Sequence, residues 1–131
     1  NYANLGPAVG QTGSLSQVLS TTPGSLYDLS FWLQNSEPGG VNAFEVFWNG
    51  ASVLSLSSLP AQNYTNYAVS SLLATGSSTT LEFRYRHDDD FFRLDDISVV
   101  PEPSALGFAA LGLGLFGLAK YYRVKRHRRS A

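Results

Sequence analysis

The chain has 131 residues, no cysteine and a formal net charge of −1, and the lack of cysteine excludes disulfides, thiolate nucleophiles and cysteine-based zinc sites. The charge is unevenly distributed, because residues 1–103 contain ten acidic residues and three arginines, a net charge of −7, whereas residues 104–131 contain six basic residues and no acidic one. The acidic first part argues against nucleic acid as a partner, since its phosphates are bound by Lys and Arg.

Residues 1–100 are long enough for one small domain and predict a series of short β-strands, because apolar and polar residues alternate along them. The expected strands, in chain order, cover residues 15–19, 26–33, 44–48, 52–56, 64–69, 79–87 and 91–100. Asn49-Gly50 predicts a type I′ hairpin turn between the third and fourth strands. Because no segment before Pro101 has a helical period, the sequence predicts a mainly β fold, an antiparallel, jelly-roll-like β-sandwich.

The alternation also selects the residues that we expect in the core. They are Leu29, Phe31, Val46, Trp48, Leu81, Phe83, Leu94, Ile97 and Val99. Leu94 and Ile97 are three positions apart, so both can face the core only if a β-bulge lies near Asp95-Asp96.

Aromatic residues offer flat faces that stack on sugar rings, and a sugar-binding surface is one interpretation of five of them. These are Tyr2, Trp32, Trp48, Phe91 and Phe92. We expect Trp32 and Trp48 in the core instead, because each lies within a strand between apolar neighbours. Phe91 and Phe92 are adjacent in a strand and must point to opposite sides, so one of them should be exposed.

Residues 101–131 follow a different pattern, in which Pro-Glu-Pro-Ser precedes the uncharged run 105–119 and a basic cluster. The basic residues are Lys120, Arg123, Lys125, Arg126, Arg128 and Arg129. As a helix the run would rise about 22 Å at ~1.5 Å per residue, and the two tyrosines that follow Lys120 would extend it as interfacial anchors. We therefore predict a transmembrane span over residues 105–119, within one helix from residue 104 to about 124, with the basic tail 120–131 in the cytoplasm and the acidic domain outside. A buried core helix is the alternative, but the run has no polar face.

This order of proline motif, apolar run and basic cluster resembles the PEP-CTERM sorting signal of bacterial surface and exopolysaccharide-associated proteins. The motif residues are Pro101, Glu102, Pro103 and Ser104, and the prolines should keep them extended and accessible.

The resemblance implies an exported protein that an exosortase, a membrane transpeptidase-like enzyme, cleaves near the motif. Its precursor would lie in the inner membrane and the processed protein at the cell surface or in the extracellular matrix. Partners would be the lipid bilayer, the exosortase and an exopolysaccharide. An uncleaved single-pass membrane protein is the alternative. The sequence begins at Asn1 without a methionine, so we expect a signal peptide, and one or two further strands of the domain, before it.

Residues 14–100 resemble bacterial jelly-roll domains related to carbohydrate-binding modules, the galactose-binding-like group. The resemblance lies in residues 15–17, 22–32, 44–50, 79–83 and 94–99. It implies the fold and leaves sugar binding as an alternative function. In related modules an acidic residue of the last strand helps to bind a structural calcium, and here that residue would be Asp95 or Asp96. Otherwise these aspartates would pair with Arg93 or cap a turn.

The densest polar cluster is His87-Asp88-Asp89-Asp90, which lacks the order of an EF-hand loop. With one histidine in residues 1–100 and no serine in a nucleophile elbow, the sequence predicts no enzyme. It predicts no cofactor other than the calcium ion described above.

Overall fold

The computed structural model describes residues 1–38, 40–103 and 122–123. The strands are β1 (Ala3–Leu5), β2 (Gly13–Ser20), β3 (Leu26–Asn35), β4 (Asn42–Trp48), β5 (Ala51–Ser57), β6 (Gln62–Leu73), β7 (Ser78–His87), β8 (Phe92–Pro101) and β9 (Tyr122–Arg123). No helix occurs among the described residues. The prediction of a mainly β fold with two antiparallel sheets is confirmed.

Sheet A has the order β1-β8-β3-β6, with β9 also paired to β8, and sheet B has the order β2-β7-β4-β5. All pairs are antiparallel. Apart from the β4–β5 hairpin, consecutive strands from β2 to β8 alternate between the sheets, so their connections cross from one sheet to the other at the two ends of the sandwich.

The side chains that point inward from the two sheets form one core. All nine residues predicted to lie there are buried. At its centre the rings of Phe31 and Phe83, and those of Phe44 and Phe92, meet edge to face at centroid distances of 5.5 Å. Such pairs contribute about 0.5–1.5 kcal/mol beyond their area burial, so a domain without disulfides is stabilised here by aromatic packing.

Two predicted backbone features are confirmed. Asn49 and Gly50 have φ angles of 49° and 87°, as a type I′ turn requires. Ser30 and Trp32 of β3 are two positions apart, but their partners on β8, Ser98 and Asp95, are three positions apart. This β-bulge brings both Leu94 and Ile97 into the core, each with 0% exposure.

The expectation that Trp32 lies in the core is wrong, since its side chain is 41% exposed. Its neighbours Phe31 and Leu33 are both buried, and adjacent residues of a strand point to opposite faces. Trp48 is buried, as expected. The predicted helix falls mostly outside the described residues, but it is wrong for residues 122–123, which form β9.

The two ends of the sandwich differ in charge. The exit end, at which the chain leaves β8, consists of residues 101–103 and the loops 21–25, 49–50 and 74–77, and its only charged residue is Glu102. The acidic end consists of the described residues of the opposite loops, 6–12, 36–38, 40–41, 58–61 and 88–91. It contains Glu37 and the three aspartates 88–90.

Candidate functional site

The first residues of the predicted sorting motif are part of sheet A. Pro101 is the last residue of β8, and the N–H of Glu102 donates a hydrogen bond of 2.8 Å to the carbonyl oxygen of Leu26 in β3. Both motif residues are half-buried, Pro103 is exposed, and Ser104 lies outside the described residues. The first two motif residues are therefore extended, as the prolines predict, but they are paired with β3 and not free of the sheet.

The side chain of Glu102 reaches over β3 to a bulge in β6. The φ of Ser71 in this bulge is 59°. Its N–H and hydroxyl group lie 2.8 and 3.1 Å from Glu102 Oε1, and the same N–H lies 3.3 Å from Asp28 Oδ1. A bulge frees a backbone N–H from the ladder and re-aims it, and here that N–H binds two carboxylates. We call Asp28, Ser71 and Glu102 the motif clasp.

The two carboxyl groups of the motif clasp shift each other's pKa. Burial and, after it, the hydrogen bond with Glu102 raise the pKa of Asp28. The hydrogen bond with Asp28 is the main cause that lowers the pKa of Glu102. Because the pKa of Asp28 is raised and that of Glu102 is lowered, Asp28 is the carboxyl group that takes up a proton first as the pH falls. The clasp is therefore most favourable in the pH range where Asp28 is protonated and Glu102 is ionised.

Sequence reasoning missed Asp28 and Ser71, which lie 43 residues apart in the chain. Only the register of β3 against β6, together with the bulge, brings them to the end of β8. Neither residue belongs to a motif, so no sequence signal could have identified them.

Most of the predicted signal lies outside the described residues. This holds for Ser104, the apolar run 105–119 and the basic residues Lys120, Lys125, Arg126, Arg128 and Arg129. The one described basic residue of the cluster, Arg123, pairs through its backbone with Ser98 of β8. Among residues 1–38, 40–103 and 122–123 there is no helix with the length and apolarity needed to cross a bilayer.

A second candidate site is the outer face of sheet A around Trp32. The neighbours of this exposed residue on the adjacent strands are Asp95 of β8 and Asn66 of β6. Two positions further along β3, Gln34 accepts a hydrogen bond of 3.3 Å from Arg93. An indole ring stacks on the apolar face of a sugar ring, and carboxylate, amide and guanidinium groups bind its hydroxyl groups. This face therefore has the chemistry of a carbohydrate-binding surface.

The other aromatic residues of the sequence hypothesis divide between this face and the core. The guanidinium carbon of Arg93 lies 5.6 Å from the ring centroid of Tyr2 and 5.5 Å from that of Phe91. Phe92 and Trp48 are buried. Phe91 is half-exposed beside a buried Phe92, as the strand period requires, and the candidate surface consists of Tyr2, Trp32 and Phe91.

The predicted calcium ligands Asp95 and Asp96 lie in the bulge of β8. The N–H of Asp96 donates a hydrogen bond of 2.7 Å to Asp95 Oδ1, and Asp96 has a φ of 49°. In the part of the chain that the structure describes, no three His, Asp or Glu residues are grouped as metal ligands. Calcium binding by these two aspartates stays a prediction.

The polar cluster 87–90 closes the acidic end. His87 is buried, accepts a hydrogen bond at Nδ1 from the Asp90 N–H and lies 2.8 Å through Nε2 from Asn35 Oδ1. Asp88 forms an ion pair with Arg86 and accepts the N–H of Gly10. The hydrogen bonds from Arg86 and then Gly10 lower the pKa of Asp88. These contacts join three connections of the fold, so the cluster has a structural explanation.

Comparisons with known proteins bear on both candidate sites. Residues 99–126 match the family described as the PEP-CTERM protein-sorting motif. No curated protein matches the sequence.

Solved structures with the same fold include sugar-binding proteins. The C-terminal domain of EclA, a sugar-binding protein, is 15% identical with a TM-score of 0.54, and the match covers 68% of this chain and 76% of that one. The carbohydrate-binding module TmCBM61, solved with β-1,4-galactotriose, is 18% identical with a TM-score of 0.51, over 72% and 67% of the two chains. The Podospora anserina GH26-CBM35 β-(1,4)-mannanase is 21% identical with a TM-score of 0.51, over 70% of this chain and 20% of the enzyme.

At these identities the solved structures establish the fold alone. The motif match adds an independent result, because it covers the end of β8, the clasped Glu102 and the residues that follow it. A motif of this kind marks an exported protein that is anchored at the membrane and directed to the cell surface. The chain thus combines a β-sandwich of the kind found in carbohydrate-binding modules with a PEP-CTERM protein-sorting motif at residues 99–126.

Proposed function

We propose that this protein is a surface or matrix protein whose C-terminal segment holds the precursor in the inner membrane until an exosortase-type enzyme cleaves it at or near residues 101–104. The β-sandwich is then the non-catalytic cargo that reaches the cell surface. The motif match over residues 99–126 is the observation that carries the proposal. Six basic residues after the apolar run support a cytoplasmic C-terminus, since basic residues beside a span stay on that side.

The motif clasp adds a step to this scheme. Pro101 and Glu102 are bonded to β3 and β6, whereas a cleaving enzyme needs an extended peptide free of the substrate's own sheet. The end of β8 must therefore open before the motif enters an active site. A few hydrogen bonds of about 0.5–1.5 kcal/mol each hold it, so this opening requires no unfolding of the sandwich.

Membrane insertion and the pairing of β9 exclude one another, because Tyr122 cannot lie beside Val99 and also across a bilayer. The run 105–119 contains five Leu and two Phe, and moving these side chains out of water contributes about 1.5–3 kcal/mol each. A ladder of two residue pairs contributes far less, at about 1 kcal/mol per hydrogen bond. In the precursor, insertion therefore replaces β9.

The test of the sorting function is replacement of Pro101, Glu102 and Pro103 by alanine in the full precursor. Membrane fractionation should show unchanged insertion, because none of the three lies in the apolar run, and loss of the shortened, released product. The matched control replaces Glu37 and Pro38, a Glu-Pro pair at the acidic end, and should be processed normally. Release of the alanine variant at the normal rate would show that cleavage does not require Pro-Glu-Pro. This result would contradict processing by an exosortase-type enzyme at the motif.

Carbohydrate binding by the outer face of sheet A is a second candidate function, favoured by the exposure of Trp32 among polar side chains. Its ligand would be a neutral or weakly charged polysaccharide of the matrix, bound by stacking on Trp32 and by hydrogen bonds from Gln34, Asn66 and Arg93. This role is compatible with sorting, because the face lies apart from the exit end.

Affinity electrophoresis of the full chain in detergent, in gels that contain matrix polysaccharide, galactan or mannan, tests this function. The native protein should be retarded and the Trp32→Ala variant should not be. Val18→Ala is the matched control, since Val18 is an exposed apolar residue of sheet B. Equal retardation of all three proteins would exclude the Trp32 face as the sugar site.

A further inference from the structure

The exit end of the sandwich has two exposed leucines and few charged residues. Leu26 and Leu73 lie opposite each other on β3 and β6 and are 38% and 51% exposed. The three loops around them, 21–25, 49–50 and 74–77, contain no charged residue. The two carboxyl groups nearest to this pair, those of Asp28 and Glu102, are bound to Ser71. Apart from these two carboxyl groups, this end lacks charges that would oppose its transfer to a less polar surrounding.

The chain beyond Glu102 limits how far this end can lie from the apolar run. Only Pro103 and Ser104 separate the clasped Glu102 from Ala105, where the run begins. An extended chain covers at most ~3.6 Å per residue, so the Cα atoms of Glu102 and Ala105 are no more than about 11 Å apart. This is close to the ~5–8 Å thickness of one headgroup layer. A sandwich that keeps its clasp cannot stand clear of the bilayer that holds the run.

The acidic end lies far from the exit end, so its charges stay away from a bilayer that the exit end contacts. β3 has ten residues, so the two ends are about 30 Å apart at ~3.3 Å per residue. This is more than three times the Debye length of about 8 Å at physiological ionic strength. Repulsion between the aspartates 88–90 and anionic headgroups is therefore screened when the exit end faces the membrane, and it opposes the reverse orientation.

We propose that the exit end is a membrane-docking surface, in which Leu26 and Leu73 contact the outer leaflet and hold the Pro-Glu-Pro motif at the lipid headgroups. The inference rests on the membrane anchoring proposed above and adds the orientation of the domain and its lipid contact. The motif is then presented at the depth where a membrane enzyme works, and the domain acts as a spacer that keeps the acidic end in solution.

The absence of cysteine allows a direct test with single spin labels on the full chain in vesicles of phosphatidylethanolamine and phosphatidylglycerol. Labels are placed at Thr75→Cys in the exit end, at Ala61→Cys in the acidic end and at Leu113→Cys in the apolar run. Accessibility to oxygen and to a nickel chelate reports depth. The label at 113 should be deep, the label at 75 should lie at the headgroups with most of its nickel accessibility lost, and the label at 61 should be in water.

The outcomes separate the two proposals. A deep label at 113 with labels at 75 and 61 equally accessible to nickel would overturn docking and leave the anchor intact. A label at 113 in water would overturn the anchor and the docking with it. The label at residue 75 could also be protected from nickel only at a high protein-to-lipid ratio. That result would show that a second copy of the chain covers the surface, and it would also overturn lipid docking.

Matched aspartate substitutions test whether the two leucines cause the protection of the label at residue 75. Leu26→Asp together with Leu73→Asp should return the label at residue 75 to the nickel accessibility of the label at 61. Val9→Asp together with Val41→Asp changes two exposed apolar residues of the acidic end, 73% and 52% exposed, and should leave the label at 75 protected. Near-ultraviolet circular dichroism of both variants verifies the fold. Protection that survives the leucine substitutions would contradict the proposed contact.

Discussion

The two ends of this sandwich are built in different ways. At the acidic end, buried polar side chains bind one another and the loops: Asn42 bonds to both backbone groups of Leu59, and His87 lies against Asn35. At the exit end the loops also share a buried hydrogen bond between two threonines, but the end of β8 is held by one half-buried carboxylate that is bonded to Ser71 at the surface. Buried, fully bonded polar networks fix a structure, whereas exposed hydrogen bonds open easily. The difference suggests that one end maintains the fold and the other releases the chain.

The largest effect should come from the acidic end. Asn42→Ala removes two buried hydrogen bonds to Leu59 and leaves the Leu59 N–H unpaired, so it should lower the free energy of unfolding by about 2–4 kcal/mol. Ser71→Ala at the exit end removes only exposed contacts of its hydroxyl group and should cost less than about 1 kcal/mol. Urea unfolding followed by tryptophan fluorescence measures both. Equal losses would show that the two ends stabilise the fold alike.

The next largest effect concerns opening of β8. Asp28 and Val100 lie opposite each other on the outer face of sheet A, and facing strand residues are at a separation that a disulfide can bridge. The variant Asp28→Cys with Val100→Cys should therefore slow processing about tenfold or more when oxidised and should recover on reduction.

A second disulfide serves as its control. Ser30→Cys with Ser98→Cys joins the next facing pair nearer the middle of the sheet and leaves the motif free to open. It should have little effect on the rate of product formation, as measured by immunoblotting. Normal processing of the oxidised Asp28–Val100 variant would contradict the need for opening.

The smallest effect is a dependence of the motif clasp on pH. The raised pKa of Asp28 stabilises the clasp at low pH, and this contribution is lost as the pH rises through the raised value. The lowered pKa of Glu102 stabilises it at higher pH, and this contribution is lost as the pH falls through the lowered value. The hydrogen-exchange protection factor of the Glu102 amide should therefore increase from pH 7 toward the pKa of Asp28 and decrease again below that of Glu102.

The variant Asp28→Asn provides the comparison for this pH dependence. The asparagine amide does not titrate and can donate an N–H at every pH, so the increase on acidification should disappear while the decrease at the lowest pH remains. An unchanged profile would show that another group controls the end of β8.

Local patterns predicted much of the fold because they depend on neighbours in the chain. The Asn49-Gly50 turn and the bulge at Asp95-Asp96 follow from turn chemistry and from the strand period. Trp32 departs from the expected core position because its apolar neighbours in the chain lie on the opposite face of the strand. Strand β1 has three residues and β9 has two, too few for any period to be recognised.

The candidate site was only half predictable. The motif residues Pro101 and Glu102 are evident from their order before an apolar run and a basic cluster. Their attachment to Ser71 depends on a bulge and on strand register between residues 31 positions apart, which no local pattern encodes. The uncharged loops of the exit end were visible in the sequence, but only the topology places them together.

The central claim is that the sandwich is released by cleavage at the motif that its own last strand holds. Mass spectrometry of the C-terminal peptide of the protein recovered from the cell surface or medium tests it most directly. Cleavage at the motif predicts a peptide that ends at or near residues 101–104 and lacks the six basic residues. Surface protein that retains the apolar run and the basic cluster through Arg129 would contradict it.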